Sequence, residues 1–168
     1  MEICEVVNNN RQGLSLRIID ETLKEDSPYM EYQIPIFESH FGLRELAFEN
    51  SFVIGLNIKN VPYLACRLSI GDIDSVSSCH KQTLIFCLVS GCKSFYTLHN
   101  HPSNLKANPS EADIENERQI DEISNIVGIE YKGEIVIAKD QWSITHDGKT
   151  YYFDWNREEL EELEDYER

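Results

Sequence analysis

Two histidines spaced to share a face, followed by a carboxylate spaced to open a helix, are the residues of this chain best placed to do chemistry. His99-Asn100-His101-Pro102-Ser103 leads through a polar stretch to Pro109 and then Ser110-Glu111-Ala112-Asp113. The apolar run before it, Ser94-Phe95-Tyr96-Thr97-Leu98, reads as a buried strand. Residues two apart on a strand point the same way, so His99 and His101 aim two imidazoles at one point. Pro102 cannot continue a ladder, and the chain turns out of the sheet there. Ser110 and Asp113 have the spacing of a helix N-terminus, which brings the carboxylate back toward the histidines. Two His and one carboxylate leave a zinc ion an open position, the mark of a catalytic rather than a structural site. The bland alternative is a capping box that happens to follow a strand with two histidines.

Positioning these groups needs a sheet with helices around it, and the rest of the chain supplies candidates. Ile36 to Phe48 reads as a helix, and strands follow at Ser51 to Leu56 and Pro62 to Leu68, with a turn at Asn57 to Asn60. A helix opens at Asp74 or Ser75, runs through Leu88 and stops near Gly91. Cys79-His80-Lys81 near its start reads as a partly exposed helical turn rather than a ligand pair. Glu111 to Val127 is amphipathic, with Ala112, Ile120, Ile123 and Val127 on its apolar side and Gly128 as its stop. Strands at Glu134 to Ala138 and Trp142 to Thr145 come next, then the turn pair Asp147-Gly148 and a return strand at Tyr151 to Phe153. The fold class is therefore α/β, a mixed sheet flanked by helices.

Outside this block, Ile3 to Val7 and Leu14 to Ile19 read as a hairpin within an N-terminal extension, residues 1–35. The main domain is expected over residues 36–155, and residues 156–168 form an acidic C-terminal tail. The 15 Lys and Arg against 30 Asp and Glu give a net charge of -15. Such acidity argues against nonspecific nucleic-acid binding and against anionic membrane surfaces, and suits a basic partner or simple solubility. Five cysteines, an odd number without a Cys-x-x-Cys pair, read as reduced thiols of a cytoplasmic protein. No signal peptide or membrane-spanning stretch is read.

The motif His-x-His-Pro-Ser, then Pro-Ser-Glu-Ala-Asp, resembles the signature of the JAB/JAMM (MPN+) zinc metallopeptidases, most of all their bacterial RadC-like branch. The resemblance runs from about Glu49 to Ile144. It implies a cytidine-deaminase-like JAB/MPN fold, Zn2+ held by His99, His101 and Asp113, and an oxyanion role for Ser110. It also implies a general base at a Glu that opens a strand; Glu49, followed by Phe52, Val53, Ile54, Leu56 and Asn57, fits that pattern, and Glu45 one helical turn earlier is its competitor. A zinc-activated water attacking an amide carbonyl, its proton passing through Glu49 to the leaving amine, is the chemistry implied. The substrate class implied is a ubiquitin-like protein or its conjugates, with activating-enzyme-like and conjugating-enzyme-like operon partners. Alternatives within the resemblance are a RadC-like protein of DNA repair or mobile elements and an inactive JAB interaction module. A deaminase is excluded, since neither His-x-Glu nor Pro-Cys-x-x-Cys occurs. Three departures stand out: the loop from His101 to Ser110 is one residue longer than usual, Lys81 replaces an Arg, and Gly133-Glu134 replaces an Asp-His pair.

Overall fold

The structure is a computed structural model that describes residues 1–9, 13–20, 27–70 and 76–155. Among the described residues eight strands form one mixed sheet: β1 (Glu2–Asn9), β2 (Gly13–Asp20), β3 (Asn50–Leu56), β4 (Pro62–Ile70), β5 (Ser94–Asn100), β6 (Glu130–Ile137), β7 (Gln141–His146) and β8 (Lys149–Asp154). Their spatial order is β2-β1-β4-β3-β5-β6-β7-β8. The β1–β4 and β5–β6 pairs are parallel and the remaining neighbours antiparallel. The sheet is covered by the helices α1 (Met30–Phe41), α2 (Val76–Ser90) and α3 (Glu111–Val127).

Strand parity sorts the core into two layers. Phe52 and Ile54 pack with Met30, Ile34 and Phe37 of α1, while Val53 between them packs with Phe86 and Cys87 of α2 and Ile120 of α3. Alternate residues of one strand thus feed opposite faces. Burying this much aromatic and branched side chain on both sides is what makes β3, β5 and β6 the rigid centre, with every residue of β3 buried.

Several elements differ from the sequence reading for identifiable reasons. The helix expected over residues 36–48 starts at Met30, continues through Pro35 and stops at Gly42, whose left-handed φ of 61° lets its N–H reach the Glu38 carbonyl at 2.6 Å. An interior proline costs about 3 kcal/mol, and the burial of Met30, Ile34 and Phe37 offsets it. Leu43–Glu45 is one 3-10 turn, and the chain to Glu49 is not helical. The expected boundary at residues 35/36 therefore falls inside α1. The expected hairpin is β1–β2, and through β1 it joins the same sheet, with Met1 and Ile3 in the α1-side core.

Strand β6 begins four residues earlier than read, at Glu130. The face of α3 that is buried carries Glu117, Ile120 and Ser124, whereas Ala112 and Val127 are exposed, because the helix lies over a partly polar stretch of sheet. The start of the helix expected at Asp74 or Ser75 and the acidic tail 156–168 lie outside the described residues. Cys4, Cys66, Cys87 and Cys92 are buried free thiols. Among the described residues no helix is long and apolar enough to cross a membrane.

Candidate metal centre

His99 is the next-to-last residue of β5, and His101 follows immediately beyond it, held in the strand direction by its N–H to the Ile137 carbonyl at 2.8 Å. Their Nε2 atoms lie 2.9 Å apart. From the start of α3, Asp113 Oδ1 comes within 3.4 Å of His99 Nε2, and Oδ2 within 3.4 Å of His101 Nε2. Among the described residues the grouping of ligand-bearing side chains stops at these three. Tetrahedral zinc with bonds of roughly 2.0–2.1 Å sets its ligand atoms about 3.3 Å apart. With one ligand atom from each residue, the three lie within 4.8 Å of one another, a convergent His-His-Asp set somewhat wider than that spacing, and all three residues line one cleft.

Ser110 caps α3: its Oγ accepts from the Asp113 N–H at 3.1 Å, and Asp113 Oδ2 accepts from the Ser110 N–H at 2.6 Å. The capping box and the metal grouping, alternatives in the sequence, coexist in one carboxylate. The longer loop reaches this geometry because it is pinned along its length. Lys139 and Asp140 donate to the carbonyls of Asn104 and Leu105, Ser143 Oγ donates to the Ala107 carbonyl at 2.6 Å, and Ala107 is fully buried against Val136 and Ala138. The loop is laid down on the β6–β7 end rather than hanging over the site.

Glu49 sits immediately before β3 and lines the same cleft of about 370 Å³ as His99, His101, Ser110 and Asp113. Glu45, in the 3-10 turn, is exposed and outside it. What holds Glu49 there is Asn100, legible in the sequence only as the residue between the two histidines. Fully buried, Asn100 accepts from the Asn50 N–H at 2.7 Å and donates to the carbonyls of Leu43 at 3.0 Å and Phe48 at 3.3 Å. It fastens the irregular segment that carries Glu49 to the strand that carries the ligands. Replacing it with Ala strands the Asn50 N–H and the Leu43 carbonyl, while the Phe48 carbonyl keeps the Asn50 Nδ2 at 2.9 Å, and is expected to cost about 2–4 kcal/mol of stability. Chemical denaturation of Asn100→Ala measures this.

Two further residues belong to the site. His80, read as a partly exposed helical position, is buried and lines the cleft, because the start of α2 packs beside α3; its Nε2 lies 2.6 Å from Asn116 Oδ1. Glu134, noticed in the sequence only as a departure, is buried with Oε1 3.1 Å from His99 Nδ1. Burial opposes charge on His99, but the Glu134 and Asp113 carboxylates prevail and hold its pKa well above the ordinary imidazole range. Burial likewise works against the Asp113 carboxylate, and the two histidines outweigh it, keeping that group far below the usual carboxylate range.

A family model described as the RadC-like JAB domain matches residues 31–149. A UPF0758 protein of Caldanaerobacter subterraneus is 29% identical over 110 residues, covering 66% of this chain and 46% of the relative. A UPF0758 protein of Clostridium acetobutylicum is 30% identical over 96 residues, 57% of this chain and 42% of the relative. The UPF0758 protein YsxA of Bacillus subtilis is 32% identical over 96 residues, 57% of this chain and 41% of the relative. This chain thus spans less than half the length of these curated relatives. Because the matched region takes in both histidines, the helix with the carboxylate and the central strands of the sheet, the chain belongs to the RadC-like JAB domain family.

Proposed function

We propose that this chain is a zinc-dependent hydrolase of the amide bond that follows a ubiquitin-like modifier, acting as an isopeptidase or a modifier-processing peptidase. The observation that carries the proposal is that Glu49, a carboxylate outside the ligand set, shares one cleft with His99, His101 and Asp113. His99, His101 and Asp113 would hold the zinc, which would supply Lewis acidity toward the scissile carbonyl and a nucleophilic water near neutral pH. Glu49 takes a proton from the attacking water and delivers it to the departing amine, so the C–N bond breaks as an amine rather than an amide anion. A hydroxyl that accepts one hydrogen bond still has a proton to give, so Ser110 can cap α3 and donate to the developing oxyanion at once.

Substrate class follows from charge. Glu49 and Asp113 line the cleft and Glu111 is exposed at the start of α3, on a chain of net charge -15. A modifier tail with small residues at its end and an arginine just upstream meets complementary charge there. Activating-enzyme-like and conjugating-enzyme-like proteins are the partners such a modifier brings with it. The test is to offer the zinc-loaded chain isopeptide conjugates and linear extensions of ubiquitin-like proteins beside short unrelated peptides. Release of the intact modifier supports the reading, whereas cleavage of the peptides alone refutes the specificity.

The raised His99 pKa gives a prediction for metal loading. In chelator-stripped protein His99 is protonated near neutral pH, and zinc binding displaces that proton. Apparent zinc affinity should rise about tenfold per pH unit until pH exceeds the raised His99 value, with one proton released per ion. Calorimetry in buffers of different ionisation enthalpy reads the proton count. In the stripped protein the same cluster stabilises the fold with the opposite trend. Its His99 contribution is full below the unfolded imidazole value and fades as pH rises through the folded one, whereas the Asp113 contribution fades only on acidification.

A further inference from the structure

The strand β6 carries a bulge whose effect is to turn one carboxylate toward the metal site. Tyr131 stands opposite Phe95 and Glu134 opposite Thr97, so Lys132 and Gly133 together face a single residue of β5. In a regular strand Tyr131 and Glu134, three apart, lie on opposite faces. Here both are on the helix-covered face: the Tyr131 hydroxyl is 2.6 Å from Thr97 Oγ1, and Glu134 Oε1 is 3.1 Å from His99 Nδ1. Gly133 makes the bulge feasible, with φ 122° and no room for a side chain: a Cβ would lie 2.5 Å from the Thr145 carbonyl oxygen.

Glu134 is then held from behind. Asn116 Nδ2 of α3 donates to Glu134 Oε1 at 3.5 Å, and Asn116 Oδ1 meets His80 Nε2 of α2 at 2.6 Å. The set runs from both helices, through one carboxylate, to one ligand. Its position is expensive as packing, for Glu134 is only 4% exposed and its Oε2 has no hydrogen-bond partner among the described residues. A leucine there would avoid the desolvation cost altogether, so the return on the carboxylate comes through His99. An imidazole that donates Nδ1–H to a carboxylate is fixed in the tautomer and orientation that leave the Nε2 lone pair for a metal.

We propose that Glu134, presented by the Gly133 bulge and braced by Asn116 and His80, is a positioning residue that fixes the His99 ring for divalent-metal binding. The proposal rests on the metal reading of His99, His101 and Asp113. Its test is zinc affinity, measured by competition with a chromogenic chelator, in the parent chain, Glu134→Leu and Glu134→Gln. Glu134→Leu should bind about 10- to 100-fold more weakly. Glu134→Gln, which keeps an acceptor for Nδ1–H, should recover most of that loss. In the zinc-loaded parent and Gln variant, the His99 Nδ1–H should give an exchange-protected proton resonance that the Leu variant lacks. Zinc affinity of Glu134→Leu within about threefold of the parent, or an unchanged Nδ1–H resonance, overturns the proposal while leaving the metal site standing. Should Glu134→Leu fail to fold, Asn116→Leu keeps the carboxylate and removes its brace; weaker zinc binding then supports the proposal and parental affinity overturns it. A parent chain with no measurable zinc affinity overturns the metal reading itself, and this proposal with it.

Discussion

His101→Ala is expected to weaken zinc binding by on the order of a hundred- to a thousandfold and to abolish detectable hydrolysis. Structural zinc sites with four ligands bind with roughly 10–16 kcal/mol, which assigns about 2.5–4 kcal/mol to each ligand. In this chain the loss leaves only His99 and Asp113, and the open geometry offers no side chain to take over, since among the described residues the grouping holds three members. The fold should survive. His101 lies beyond the end of β5, is only partly buried, and contributes to neither of the two main core layers. Elemental analysis and thermal unfolding of the same preparations separate the outcomes. A variant that unfolds like the chelated parent but retains no metal supports the ligand role, and near-stoichiometric zinc in the variant refutes it. Because a ligand present at a thousand times its Kd stabilises by about 4 kcal/mol, zinc should raise the melting temperature of the parent and leave the variant where it was.

Glu49→Gln is expected to do the reverse, keeping the metal and losing the chemistry. Glu49 lines the cleft without joining the ligand set, so zinc stoichiometry should match the parent. Glutamine preserves size and an acceptor but cannot shuttle a proton, and removal of a general acid–base group costs typically 10²- to 10⁴-fold in rate. Glu45→Gln, at an exposed position of the 3-10 turn, is the control and should leave the rate unchanged. Loss of activity in Glu45→Gln with retention in Glu49→Gln would move the base to the other carboxylate.

Much of this site was legible in sequence because its parts obey strict local periods. Two residues apart on a strand must share a face, and Ser-x-x-Asp must start a helix or waste its capping potential; hence the histidines, Asp113 and α3 from Glu111 to Val127 were readable. What stayed hidden were positions set by partners distant in sequence. The helix read from Ile36 starts six residues earlier, and only the burial of Met30 and Ile34 against the sheet explains why it runs through Pro35. Glu134 reads in the sequence only as a departure from an Asp-His pair, because a bulge changes the phase of a strand without changing its composition. His80 looked exposed because nothing near it in sequence announces Asn116, which lies 36 positions away. Asn100 was passed over as the spacer of a His-x-His motif, although it is the residue that ties Glu49 to the ligands.

The shared carboxylate of Asp113 has a kinetic consequence. The same Oδ2 that accepts the Ser110 N–H lies beside His101, so the first turn of α3 and a cation bound there would hold each other in place. Helix ends are where native proteins open most readily, through local fluctuations far smaller than global unfolding. Each such fraying of residues 110–113 withdraws a ligand, and the lifetime of the bound ion is then tied to the opening rate of one helical turn. Amide hydrogen exchange at Asp113 and Ile114 would report that opening directly: the slower those protons exchange in zinc, the longer the ion stays.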